Sequence, residues 1–121
     1  MSIQKFTELR VRQIAHQVSL KIDKVTRGFP ADERFGLVSQ VRRAAVSVAA
    51  NIAEGFGRWS LRDRARFLEM AKSSAEEVRH YLILSVDLEY VKSDPALDGQ
   101  IDHLCAMLYR AREAVLSSEG N

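Results

Sequence analysis

Apolar residues recur along this chain at alternating spacings of three and four, the pattern of helices that each bury one face. Val11, Ile14, Val18, Ile22 and Val25 predict a helix over about residues 9–26. Gly28-Phe29-Pro30 should end it, with Gly28 as a left-handed cap and Pro30 as a stop. A second stripe, Leu37, Val41, Ala44, Ala45, Val48 and Ile52, predicts a helix over about 33–56. It would start at the acidic Asp32 and Glu33, which suit the positive end of a helix dipole, and finish at Gly55 and Gly57. Its small residues, Ala44, Ala45, Ala49, Ala50 and Ala53, would let a neighbouring helix approach closely.

Ser60, with Asp63 three residues on, reads as a capping box and opens a third helix over about 61–90. Its core stripe is Leu68, Ala71, Ala75, Val78 and Leu82. Asp94 should cap a fourth helix over about 95–117, with Pro95 at its first position. There Leu97, Ile101, Leu104, Leu108, Ala111 and Val115 form the most regular seam in the chain. Four such helices joined by short loops imply a single all-α domain, an antiparallel up-and-down four-helix bundle. No internal repeat or low-complexity tract interrupts it.

Composition adds limits. The chain's 121 residues can bury a core without disulfide or metal, and Cys105 is the sole cysteine, so a reducing cytoplasmic setting is expected. Met1-Ser2-Ile3-Gln4-Lys5 has no export-signal pattern. The longest uncharged stretch between helix breakers, Ala44 to Ala53, is far short of the roughly 20 residues a membrane span needs. The net charge of +2 conceals a polarity: residues 1–66 carry +7 and residues 67–121 carry −5. Such a chain offers a basic surface to an anionic partner, or complementary faces that pair between subunits.

Catalytic chemistry is hard to find. His16, His80 and His103 fall on three different predicted helices. Glu77-Val78-Arg79-His80 is a single Glu-x-x-His, whereas di-iron bundles need two such motifs and two further glutamates. It reads as an exposed pair, and no metal or cofactor is expected. Cys105 reads as a small buried hydrophobe. No phosphate-binding glycine pattern, serine elbow or zinc spacing is present, and a non-enzymatic role is expected.

Two features carry more information. A polar stripe runs along the second helix through Gln40, Arg43, Ser47, Asn51, Glu54 and Arg58. A solvated face would explain it. So would hydrogen-bonded contacts to another subunit or a ligand, since Ser and Asn are mediocre helix formers set here among alanines. Gln40, Ser47, Asn51 and Glu54 are the candidate oligomer contacts. The second feature is Arg58-Trp59-Ser60-Leu61-Arg62-Asp63-Arg64-Ala65-Arg66. Arginines at a helix N-terminus oppose the dipole, which is easier to understand if an anion, or an acidic surface of another subunit, faces them. Trp59 could stack on a base or anchor the loop to the core. Arg42, Arg43, Arg58, Trp59, Arg62 and Arg66 are the candidate nucleic-acid-binding residues.

These residues also carry a resemblance. Phe35-Gly36-Leu37-Val38-Ser39-Gln40-Val41-Arg42-Arg43-Ala44-Ala45-Val46-Ser47-Val48, followed by Asn51-Ile52-Ala53-Glu54-Gly55-Phe56-Gly57-Arg58, resembles the signature of the four-helix-bundle proteins of 23S ribosomal RNA intervening sequences in bacteria. Phe6, Leu9, Phe29-Pro30 and Arg66-Phe67-Leu68 with Ala71 and Ser74 fit as well. Arg12 stands where the family often has tryptophan, and Ala49 where it often has proline. The resemblance implies a ring-shaped homopentamer. A related branch, the accessory proteins of diversity-generating retroelements, implies nucleic-acid binding through a basic ring. Two functions follow: a homo-oligomer that binds RNA or DNA by its backbone, which is the preferred reading, and a protein–protein scaffold with no nucleic-acid role.

Overall fold

The computed structural model describes residues 3–118, with side chains from residue 5 onward. Four helices account for most of it: α1 (Ile3–Thr26), α2 (Leu37–Gly57), α3 (Leu61–Asp87) and α4 (Pro95–Ser118). No strand occurs among the described residues. Helices adjacent in sequence are adjacent in space, most extensively α2 with α3 and α3 with α4, and α1 closes the bundle against α4. The diagonal backbones, α1/α3 and α2/α4, do not approach each other among the described residues.

The core comes from the periodic stripes. Val11, Ile14, Val18 and Ile22 meet Val41, Val48 and Ile52, and these meet Leu68, Val78, Ile101, Leu104 and Leu108 in one continuous cluster. Every member of the α4 seam is buried, and Ile101, Leu104 and Leu108 are wholly so. Ion pairs tie the rim of α3 to α4: Arg79 reaches Asp98 at 3.2 Å and Asp102 at 3.5 Å, and Arg112 reaches Glu69 at 3.4 Å.

Helix ends follow local chemistry. Ser60 Oγ accepts the Asp63 N–H at 3.0 Å, and Asp94 Oδ1 accepts the Leu97 N–H at 3.1 Å, so both sequence-read caps are formed. Four boundaries differ from the sequence reading. First, α1 begins at Ile3 instead of residue 9. Second, Gly28 is not left-handed, since no described glycine has positive φ. Instead Arg42 serves the end of α1, its Nε–H donating to Thr26 Oγ1 at 2.9 Å and its Nη2 to the Asp23 carbonyl at 3.2 Å.

Third, Asp32 and Glu33 lie in a 3-10 turn, Ala31–Glu33, and α2 starts only at Leu37. The N-cap is Gly36, which has no side chain to offer, so the carboxylate comes from one turn earlier. Glu33 Oε1 accepts the Leu37 N–H at 3.3 Å, and Oε2 accepts the Tyr90 hydroxyl at 2.8 Å. Phe29, Leu37 and Val38 form a small second core beside this clasp. Fourth, α3 stops at Asp87, not Tyr90, because Glu89 is left-handed with φ 64°. Tyr90 N–H then bonds the Ser85 carbonyl and Glu89 N–H the Val86 carbonyl, both at 2.9 Å, a Schellman closure.

Gly55 is not a terminator but lies inside α2. A Cβ there would come within 3.2 Å of Phe67 Cβ and 3.4 Å of the Arg64 carbonyl. This is the close approach of α2 to α3. Ala44 and Ala45 also serve close packing, whereas Ala50 and Ala53 face solvent.

Candidate nucleic-acid interface

The corner between α2 and α3 is a connection of three residues, Arg58-Trp59-Ser60, with extended backbone at Arg58 and Ser60. It is braced on several sides. Arg58 N–H bonds the Gly55 carbonyl at 3.3 Å, and Arg64 Nε–H donates to the Arg58 carbonyl at 2.6 Å. Arg58 Nη2 also donates to Glu54 Oε2 at 2.9 Å. The Arg58 and Arg66 guanidiniums lie 4.7 and 4.9 Å from the centre of the half-buried Phe67 ring. Arg66 sits 3.7 Å from Asp63. Arg62 is exposed on the first turn of α3.

So short a connection leaves Trp59 no wall to pack against, and it is 99% exposed. The structure therefore rejects the loop-anchor reading of this residue. Ala53, Glu54, Gly57, Arg58, Ser60 and Asp63 line a shallow depression at its base. Arg58, Trp59, Arg62 and Arg66 are thus brought together at one corner. Arg42 and Arg43 are not. Arg42 is half-buried and engaged with Asp23 and Thr26 at the end of α1. Arg43 lies about 22 Å along α2 from Arg58, at 1.5 Å per residue, beside an open groove with Gln40, Ser47, Ser74 and Glu77.

The candidate oligomer contacts divide similarly. Ser47 and Asn51 find partners within the chain: the Ser47 and Ser74 hydroxyls are 2.9 Å apart, and Asn51 Nδ2 donates to the Ser47 carbonyl at 2.9 Å and to its Oγ at 3.0 Å. These bonds explain polar residues in an alanine-rich helix: the Ser47–Ser74 pair joins α2 to α3, and Asn51 holds Ser47 from one turn along α2. Gln40 and Glu54 are exposed. Other exposed apolar groups on or beside α2 are Phe35, 87% exposed, and Val46, 62% exposed.

Sequence reasoning missed the roles of Arg64 and Phe67. Arg64 stood in the arginine run but was not singled out as the brace of the turn. Phe67 gives no signal of its own as a platform for two guanidiniums.

Elsewhere chemistry is sparse. His16, His80, His103 and Glu77 are exposed, and no group of three metal-ligating side chains occurs among the described residues. Cys105 is half-buried against the core beside Lys72 and Glu76 of α3. Burial pushes its thiol up and Glu76 adds to this, while Lys72 pulls the other way. The thiol stays protonated at neutral pH, which is unfavourable for a nucleophile. Lys72 is itself raised, first by its hydrogen bond to Glu76. Tyr90 is raised by its hydrogen bond to Glu33. No described helix is long and apolar enough to cross a membrane.

The crystal structure of a protein of unknown function from the S23 ribosomal protein family of Bacteroides thetaiotaomicron superposes with a TM-score of 0.81. It is 19% identical and covers 88% of this chain and 98% of its own, a likeness of fold. A comparison with the curated proteins finds no match. The family model of the 23S rRNA-intervening sequence proteins matches residues 7–110, the α2 signature and the α2–α3 corner included. A match across that much of the sequence places the chain in the 23S rRNA-intervening sequence protein family.

Proposed function

We propose that this chain is a non-catalytic, self-associating bundle of the cytoplasm that binds RNA or DNA by its phosphate backbone at the α2–α3 corner. The observation that carries this reading is Trp59, almost fully exposed on a braced turn, with Arg58 next to it in the chain and Arg62 and Arg66 on the first turns of α3. An indole held in water beside several guanidiniums suits a ligand with both π faces and anionic oxygens. The carboxylates of Glu54 and Asp63 each take only part of a guanidinium's five donors. Phosphate contact is therefore compatible with the observed pairs.

Self-association is part of the proposal. Exposed Val46, Ala50 and Ala53 lie on one face of α2, and Phe35 is exposed before its start, away from the Trp59 corner, a set of small and apolar groups that favours cover. The opposite net charges of residues 1–66 and 67–121 favour head-to-tail contacts, which close into rings when the rotation permits. A ring of five follows the resemblance noted from the sequence. The antiparallel up-and-down course belongs to the same reading. Ser19 bonds Ala45 while Thr26 bonds Arg42, and Glu69 pairs with Arg112 while Arg79 pairs with Asp98, so numbers fall on one helix as they rise on its neighbour.

One observation favours the scaffold reading: Arg58 and Arg66 already face carboxylates, as arginines in a subunit contact would. Equilibrium titration against single- and double-stranded RNA and DNA separates the two. Binding is expected at ~50 mM salt, where phosphate contacts are strongest. No binding to any of the four ends the nucleic-acid reading and leaves the scaffold.

A further inference from the structure

We infer that the α2–α3 corner selects single-stranded nucleic acid, one unpaired base stacking on the Trp59 indole while neighbouring phosphates lie on the arginines beside it. The inference rests on the nucleic-acid reading above and narrows its substrate class.

Its first support is the state of the indole. Trp59 is 99% exposed, so both ring faces are open to water and no described side chain covers either. A base inside a duplex has its faces taken by its neighbours in the stack, and only an unpaired base can offer one to a protruding ring. The second support is rigidity. The turn is held by the Arg64 bond to the Arg58 carbonyl at 2.6 Å and by the Ser60 cap on α3 at 3.0 Å. A pinned backbone leaves only the indole's two side-chain torsions to be ordered on binding, which favours stacking over contact from a floppy loop.

The third support is the chemistry around the ring. Arg58 and Arg66 rest within 5 Å of the Phe67 ring centre, at 4.7 and 4.9 Å, so the guanidiniums are positioned before any ligand arrives. A guanidinium set against a ring keeps N–H donors that match phosphate oxygens. Arg62 is exposed on the first turn of α3, so it stands at this corner with Arg58 and Arg66, and a strand whose base sits on Trp59 runs its backbone past them. Sequence preference should be weak, because every base has a π face.

Trp59 is the only tryptophan in the chain, so its intrinsic fluorescence reads this corner directly. The test uses the full chain at ~50 mM salt with three probes of equal length: an oligothymidylate strand, its duplex with oligoadenylate, and an abasic phosphodiester strand. Oligothymidylate is expected to quench the fluorescence and to bind more tightly than the duplex, and the abasic strand to bind without quenching. Trp59→Ala should weaken oligothymidylate about 5- to 150-fold and leave the other two nearly unchanged. That variant removes no core contact, and circular dichroism confirms its fold. Equal or tighter duplex binding, saturation without quenching, or an equal loss for all three probes overturns the inference while the nucleic-acid reading stands. Failure of all three probes to bind removes both. Fluorescence that responds to protein dilution and not to the probes assigns Trp59 to a subunit contact, which also overturns it.

Discussion

At the scale of single residues, the C-terminus of α3 holds a local conflict. Glu89 adopts the left-handed conformation that closes the Schellman turn, a conformation costing a non-glycine residue about 1–2 kcal/mol. Glu89→Gly should relieve it and raise stability by about 0.5–1 kcal/mol after glycine's extra unfolded-state entropy is deducted. Urea denaturation of the two proteins measures this, and an unchanged or lower midpoint counts against the assignment. One residue further on, Tyr90 gives a pH dependence. Its hydrogen bond to Glu33 raises the phenol above its ordinary 10.0. The folded chain therefore keeps this proton to higher pH than the unfolded chain does. The associated stability is complete below about pH 10 and is lost as pH rises through the raised value. Urea midpoints from neutral to alkaline pH should fall more steeply for the wild type than for Tyr90→Phe.

These two residues also show where single-residue reading stops. Nothing in the order of amino acids marks Glu89 as left-handed, since glycine or asparagine is the usual choice. Trp59 was legible as a residue of interest but not as an exposed one. Its fate depended on a connection of only three residues, and that length followed from where two helix ends met.

At the scale of elements, the stripes translated almost directly into buried faces, most completely along α4, because a strict three-four spacing has one solution when a core must be covered. Side-chain caps inside or next to their helix, Ser60 and Asp94, were equally legible. Caps supplied from elsewhere were not. The end of α1 is served by Arg42 from α2, and the start of α2 by Glu33 across a 3-10 turn. The arginine cluster was visible as a run of residues. That Arg42 belongs to a different place became clear only when α1 and α2 packed. The small residues read as helix contacts divided for the same reason, Ala44 and Ala45 inward, Ala50 and Ala53 outward. Gly55 is a point of close approach between α2 and α3. Gly55→Val should push the helices apart at Phe67 and Arg64 and cost about 1–3 kcal/mol, read by chemical denaturation. A loss below about 0.5 kcal/mol would mean the interface yields there.

At the scale of the whole molecule, the bundle rests on a continuous core in which Leu104 is wholly buried. Leu104→Ala should destabilise it by about 2–5 kcal/mol in denaturant titrations. Sedimentation equilibrium at micromolar concentration tests self-association, and a clean monomer near 13.7 kDa would contradict it. The account's central claim is that the arginines of the α2–α3 corner hold phosphates, and the dependence of binding on salt tests it most directly. Each arginine on a phosphate contributes close to one unit to the slope of log affinity against log salt. Arg62→Ala combined with Arg66→Ala, in protein that keeps its helicity and oligomeric state, should lower the wild-type slope by about two per engaged subunit. A slope that the double substitution leaves unchanged would contradict the claim, and the phosphate contacts would have to lie elsewhere on the molecule.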